Sequence, residues 1–303
     1  MDTGVKPIAS WLYVCAAMVV AMMLIGAATR LTESGLSMVE WRPLFGWLPP
    51  MTEAEWNRIF ELYRQTSEYS IQHYGMELPA FKTIFWWEYI HRVLARLIGL
   101  FFLIPLLYFY FNNSINKEKL NICLVVFFLI VFQGVLGWYM VKSGLVNVVT
   151  VSHFRLSLHL IFAFLIISVI FWLILNNKNE NLKTFFNFEK KKGLFLTLIF
   201  LIFIQISLGA FVSGLDAGRI YQTWPLMGET FFPNDIKINN LNIFLDLNNH
   251  SLVQFYHRLF AYIILIYVLM LAFYLYSQKE KKVYLSLTII LLVLSLQIFL
   301  GVF

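Results

Sequence analysis

Seven stretches of this chain, at about 11–28, 90–111, 120–141, 156–175, 193–212, 252–276 and 283–303, are apolar for roughly the length of a bilayer crossing. A spanning helix needs about 20 such residues. In hydrocarbon the backbone must satisfy its own polar groups, which leaves helices or closed barrels. Continuous runs without an alternating polar face are helices rather than barrel strands. Composition agrees: of 303 residues, 60% are hydrophobic and 13% charged, where a globular domain carries about 25% charged residues. The surrounding medium is therefore a lipid bilayer, and no nucleic acid partner is expected. Lys6 is a weak basic leader, and Thr29-Arg30 follows the first run where a cleavage site would stand, so that run reads as a retained helix. Cys15 and Cys123 both lie inside apolar runs, which argues against a disulfide framework or a cysteine zinc site.

Lysine sets the orientation, because short positively charged loops stay cytoplasmic. Lys6, Lys117, Lys119, Lys178, Lys183, Lys190, Lys191, Lys192, Lys279, Lys281 and Lys282 fall on one side, against Asp2, Glu118, Glu180, Glu189 and Glu280. That side is predicted to be the cytoplasm and to include the N-terminus. The nine arginines (Arg30, Arg42, Arg58, Arg64, Arg92, Arg96, Arg155, Arg219 and Arg258) all fall toward the other side. Nothing in topology requires this. Either they pair with the acids of the outer loops, or they meet an acidic ligand there, for which the bidentate guanidinium is suited.

The chain also repeats itself. Ile25-Gly26-Ala27, Gly35, Trp41 and Pro43-Leu44-Phe45-Gly46 correspond to Leu208-Gly209-Ala210, Gly218, Trp224 and Pro225-Leu226-Met227-Gly228. Glu88-Tyr89-Ile90-His91-Arg92 corresponds to Gln254-Phe255-Tyr256-His257-Arg258, and Gln133-x3-Gly137 to Gln297-x3-Gly301. Features recurring in one order imply two halves, 1–180 with an outer loop at 30–87, and 181–303. Four helices per half is an even number, so the halves are parallel repeats, two pseudo-symmetric four-helix bundles. By that symmetry an eighth helix is expected after Phe303, and seven are present.

Ionisable residues inside a membrane span mark function by default. His91, His153, His159 and His257 lie at or within the outer ends of apolar runs, whereas His73 and His250 are loop residues. Histidines on neighbouring helices suggest bis-imidazole ligation of haem iron, the alternative for any one of them being a buried structural histidine. A His-Arg pair recurring on two helices favours ligation, with arginine placed to meet a propionate. His153 and His159, six residues apart, are separated by about 600° around a helix and face different ways, so one of them is expected to share an iron with His91. His159 lies deeper and is preferred; His153 is the alternate. Glu88 shares a face with His91, whereas the second half has Gln254 in its place. A carboxylate can move protons and an amide cannot, so the first half is expected to do chemistry and the second to hold a cofactor. The competing reading of Glu88 is an ion pair with Arg92 at i+4. In the loop, Thr52-x-x-Glu55 reads as a capping box, opening an amphipathic helix with Trp56, Ile59, Phe60 and Tyr63 on one face.

Taken together, Thr29-Arg30-Leu31-Thr32-x-Ser34-Gly35-Leu36-Ser37-Met38, Glu88-Tyr89-Ile90-His91-Arg92, Arg155-Leu156-x-x-His159-Leu160, Asp216-Ala217-Gly218, Tyr221-Gln222-Thr223-Trp224-Pro225-Leu226-Met227 and Gln254-Phe255-x-His257-Arg258 resemble haem A synthases of the proteobacterial and mitochondrial type. The resemblance covers nearly the whole chain. It implies an eight-helix oxidoreductase of the bacterial inner membrane that oxidises the C8 methyl of haem O to the formyl of haem A by successive hydroxylations, for cytochrome oxidase assembly. It further implies substrate haem between His91 and His159, Glu88 as the catalytic residue, and a haem b cofactor on His257. The propionates would meet Arg30, Arg92, Arg96, Arg155 and Arg258, with the active site toward the periplasm. Haem O synthase is the expected supplier of substrate, and a homo-oligomer is an expected assembly. A di-haem cytochrome b that only carries electrons is the alternative; histidines gathered at one membrane depth speak against it.

Overall fold

A computed structural model describes residues 5–40, 46–144, 151–177, 190–237 and 240–302. Trp41, Arg42, Pro43, Leu44 and Phe45 of the first repeat, and the charged Asp2, Lys178, Glu180, Lys183 and Glu189, lie outside the described residues. Apart from one β-bridge between Met227 and Thr230, the regular structure among the described residues is helical. In chain order the helices are α1 (Val5–Leu31), α2 (Glu53–Arg64), α3 (Ser67–Ile71), α4 (Leu78–Phe111), α5 (Lys117–Gly144), α6 (His153–Asn176), α7 (Lys190–Gly214), α8 (His250–Ser277) and α9 (Tyr284–Val302), with three short 3-10 turns between them. Seven of these are long and apolar enough to cross a membrane, one for each apolar run in the sequence.

The second of those spans differs from expectation at its start. Apolarity alone begins it near residue 90, but α4 begins at Leu78 and runs for 34 residues, or about 51 Å at 1.5 Å per residue. That exceeds the roughly 30 Å hydrocarbon core, so one end of α4 stands clear of it. Pro79 falls in the first turn, where its fixed φ suits a helix start and its missing N–H costs no bond. Phe81, Ile84 and Phe85 then recur at helical spacing and pack on Trp56, Tyr63 and Tyr69 of α2 and α3. The first ten residues of α4 thus belong to a small aromatic core that the expected loop at 30–87 had hidden. The helix α2 starts as the sequence reading proposes: Thr52 Oγ1 accepts from the Glu55 N–H at 3.2 Å. The return bond is shifted by one residue, with the Glu55 carboxylate accepting from Met51 rather than from Thr52.

The chain divides into two compact units, Met1–Arg155 with Phe162–Lys183, and Leu156–Ile161 with Thr184–Phe303. The first is built around Trp11, Leu12 and Cys15 of α1, Phe102 and Leu106 of α4, Val126 of α5 and Ile170 of α6. One contact explains how α4 tolerates Pro105. Proline cannot donate to the carbonyl four residues back, which leaves the Phe101 oxygen without its helical partner. The Trp11 indole N–H takes that place, donating to Phe101 O at 2.9 Å. The second unit packs Leu198 of α7 and Leu287 of α9 against Ile264, Val268, Leu271 and Leu275 of α8.

Candidate functional site

Within each unit the segment leaving one long helix is tied to another, and the two ties use equivalent atoms. Two positions beyond the end of α1 and of α7 stands a residue in the left-handed region, Glu33 at φ 51° and Asp216 at φ 52°, 183 positions apart. That reverses the chain. In the first unit the Met38 N–H donates to Glu88 Oε2 at 2.7 Å. In the second the Tyr221 N–H, again 183 positions on, donates to Gln254 Oε1 at 3.2 Å. Arg92 donates to the carbonyls of Met38 at 3.0 Å and Glu40 at 3.4 Å. Arg258 donates to those of Tyr221 and Thr223, both at 2.7 Å. Even the far ends of α4 and α8 match, with Asn113 at φ 52° and Lys279 at φ 54°. The repeat read from a few motifs therefore extends to main-chain groups whose side chains share no likeness.

The two ties differ where chemistry would. Glu88 is nearly completely buried, forms an ion pair with Arg92, and accepts a further bond from the Ser37 hydroxyl at 2.7 Å. The ion pair that competed with a catalytic role for Glu88 is thus present, and it holds the carboxylate one helical turn from His91. Gln254 instead uses its amide in both directions, donating through Nε2 to the carbonyls of Gly218 at 3.2 Å and Tyr221 at 2.9 Å. A buried ion pair and a neutral amide do the same mechanical job.

Each histidine of the repeated pair sits opposite a glycine of the repeated Gly-Ala pair. A Cβ on Gly26 would stand 3.4 Å from His91 Nε2, and one on Gly209 would stand 3.2 Å from His257 Cε1. The Gly209 contact is tighter than an ordinary one and the Gly26 contact is at its limit, so the lack of a side chain leaves room for an imidazole between packed helices. His257 has a hydrogen-bonding neighbour in Gln205 of α7, whereas the His91 ring makes no side-chain hydrogen bond among the described residues. His153, at the first position of α6, is buried and stacks on Phe154 with centroids 4.1 Å apart. His159 lies six residues further on, about 1.7 turns, and is partly buried.

The arginines are distributed as follows. Arg92 and Arg258 hold carbonyls as described. Arg96 lies over the Trp47 ring at 5.6 Å, and Arg155 over the Tyr139 ring at 4.5 Å. Arg30 lies in the last turn of α1, partly buried. A cleft between α2 and the first half of α4 is lined by Ser37, Glu40, Arg58, Tyr89, Arg92 and Arg96. Arg58, one of the nine arginines, pairs with Glu40 at 2.8 Å, as the acid-pairing reading expects; sequence reasoning did not single out Ser37 or Gln205. Ser37 was visible inside a quoted motif. Gln205 carried a weak signal, as a polar residue one helical turn before Gly209 in an apolar run.

Imidazole is a neutral nitrogen donor suited to haem iron. Each repeated ring lies against a glycine, where a β-carbon would stand 3.4 Å from His91 and 3.2 Å from His257. The residues present fit haem.

An all-helical, multi-pass membrane protein with a histidine set into the same frame in each of two units is the class that fold and site define. The chain belongs to the COX15-CtaA family of cytochrome oxidase assembly proteins, whose pattern it matches over residues 9–303. Among its relatives is a heme A synthase of Pelagibacter ubique (strain HTCC1062), 45% identical over 99% of this chain and 88% of the relative. Others are heme A synthases of Nitrosospira multiformis, 42% identical over 98% of this chain and 84% of the relative, and of Rickettsia bellii (strain OSU 85-389), 43% identical over 94% and 87%. No solved structure matches the chain.

Proposed function

We propose that this protein is a haem A synthase, an oxidoreductase that acts on a C–H group and converts the C8 methyl of haem O to the formyl of haem A. Similarity to heme A synthases along nearly its entire length supports the activity. The observation that carries the assignment of roles is the pairing of equivalent frames with unequal residues: Glu88 beside His91 in one, Gln254 beside His257 in the other. Conversion of methyl to formyl with water as the oxygen source releases four protons and four electrons, so a group that accepts protons is needed at one site only. Glu88 can accept a proton; Gln254 cannot. His91 is assigned to the substrate haem, with α6 providing the second ligand; preference for His159 over His153 rests on the sequence alone.

His257 is assigned to haem b, which when bound supplies an iron able to take up and pass on electrons. Arg30, Arg92, Arg96, Arg155 and Arg258 are assigned to the propionates. A guanidinium carries five N–H donors, more than Arg258 uses on its carbonyls. The lysine bias places the N-terminus in the cytoplasm of a bacterial inner membrane and the site toward the periplasm, with haem O synthase as supplier and a homo-oligomer as the assembly. The test is to incubate the purified protein with haem O and an electron acceptor and to separate the extracted pigments. Hydroxylated haem and haem A are expected. Finding neither, under conditions where a related synthase yields both, overturns the assignment.

A further inference from the structure

Gln205 is the polar side chain of α7 that meets the His257 ring. Its amide nitrogen lies 3.2 Å from Nδ1 and 3.5 Å from Nε2 of the imidazole, and donates to the His257 carbonyl at 3.1 Å. Gln205 therefore holds both the ring and the main chain that carries it. Gly209, one turn later on the same face, makes room for the same ring. One face of α7 thus provides a space and a restraint.

The amide oxygen of Gln205 is buried and has no partner among the described residues. That is an unusual condition for a buried acceptor. An imidazole that ligates iron through one nitrogen carries a proton on the other, and that N–H needs an acceptor, which fixes the ring's orientation and raises its basicity. A glutamine amide offers both a donor and an acceptor. Gln205 can therefore serve the unliganded ring through nitrogen and the ligating ring through oxygen.

The repeat makes this a comparison within one molecule. Counting back 183 positions, as for Met38 and Tyr221, Gln205 corresponds to Met22 and Gly209 to Gly26. The glycine is kept and the amide is not. Met22 packs on the apolar core of the first unit and offers no comparable hydrogen bond.

We propose that Gln205 is a positioning residue which fixes the His257 imidazole for a permanently held haem, and that Met22 in the corresponding place leaves His91 unrestrained so that its haem can leave. The proposal rests on the assignment of haem b to His257. It accounts for a requirement that assignment leaves open: a substrate site must release its product every turnover, whereas a cofactor site must not.

The test uses the full chain, purified in detergent and loaded with haem b, and follows haem retention, the low-spin optical and EPR spectra and the midpoint potential. Gln205→Met is expected to weaken haem retention roughly tenfold or more, the usual effect of removing such a support, and to raise the midpoint potential. Gln205→Glu keeps an acceptor, and is expected to retain haem while lowering the potential. In a His257→Ala background supplied with haem O in place of haem b, which confines binding to the His91 site, Met22→Gln is expected to slow dissociation of haem O. Should His257→Ala keep its haem b, the underlying assignment fails. Should His257→Ala lose it while both Gln205 variants keep the parent's retention, spectra and potential, the role given to Gln205 fails. Unchanged dissociation from Met22→Gln overturns the role given to Met22. Unfolding midpoints measured alongside separate a folding defect in Gln205→Met from a ligation effect, and a potential shift in Gln205→Glu of the opposite sign is one that loss of packing does not produce.

Discussion

Replacing Glu68 by glutamine should make the α2–α3 region insensitive to pH. Glu68 is only 3% exposed, and its Oε2 has no partner among the described residues. Burial pushes its carboxyl up to about 8; the Tyr63 hydroxyl acts in the opposite sense, and the negative charges of Glu88 and Glu33 add to the rise. The same burial raises the Tyr63 phenol and lowers His73, whose Nδ1 lies 2.6 Å from the Tyr63 hydroxyl. The folded carboxyl thus keeps its proton well above the value of about 4.3 expected of an unfolded one. A group whose folded value is raised stabilises the fold most below its unfolded value, and that contribution drains away as pH rises through the folded value. Between about pH 4.5 and 8 the region should lose on the order of 1 kcal/mol of stability per pH unit, levelling off above. Glutamine has no proton to lose, so Glu68→Gln should flatten the curve and be the more stable form at pH 8.5. Hydrogen exchange of peptides from α2 and α3, corrected for the intrinsic pH dependence of exchange, measures this directly. Parallel curves for parent and variant across pH 5–9 would refute the reasoning.

Three further outcomes are expected. Glu88→Gln should keep haem, because Gln254 shows that an amide fits this frame, while turnover of haem O drops by about 100-fold or more, the usual worth of a positioned proton acceptor; undiminished haem A production would leave Glu88 only its ion pair with Arg92. Gly209→Val should displace the His257 ring, since even a β-carbon comes within 3.2 Å of it, and the low-spin haem spectrum should be lost at a normal expression level. Trp11→Phe keeps the aromatic packing on Phe102 and Phe109 but removes the donor to the Phe101 carbonyl beside Pro105. The carbonyl then keeps only the weak Cys15 thiol donor at 3.9 Å, and loss of an ordinary hydrogen bond costs about 0.5–1.5 kcal/mol, measurable as a lowered unfolding midpoint in detergent that Trp11→His, which restores an N–H, should partly recover.

The spans were legible because the bilayer imposes one requirement on all of them, a long apolar helix, and hydropathy reads that requirement directly. It fails where a helix leaves the membrane. Residues 78–89 of α4 are as helical as the rest, but Lys82, Thr83 and Glu88 interrupt their apolar side chains, and their partners are Trp56, Tyr63 and Tyr69, far away in sequence. His91, His257 and the glycines opposite them were legible as motifs because a repeated sequence is an experiment done twice: what survives in both copies is what the frame requires. Gln205 escaped for the complementary reason. It appears once, in an apolar helix, and its meaning lies in the distance to a ring 52 positions on. Ser37 sits in a motif, yet nothing in the sequence says that its hydroxyl reaches Glu88 across 51 positions.

The same contrast bears on what the repeat is for. If the two frames had diverged freely, the ties made by main-chain atoms would have drifted along with the side chains. They have not: Met38 and Tyr221 have nothing in common as side chains, yet their N–H and carbonyl groups meet the same two positions of the facing helix. The frame tolerates a carboxylate or an amide at one of those positions because either can accept the N–H. It keeps arginine at the other because only a guanidinium reaches two carbonyls two residues apart at once. Arg92 and Arg258 are on this view needed for the fold before they are needed for any ligand. A lysine at position 258 should therefore loosen the segment around Tyr221 and Thr223, seen as faster hydrogen exchange there, even in protein from which haem has been withheld. Unaltered exchange in that segment would return Arg258 to the role of propionate partner alone.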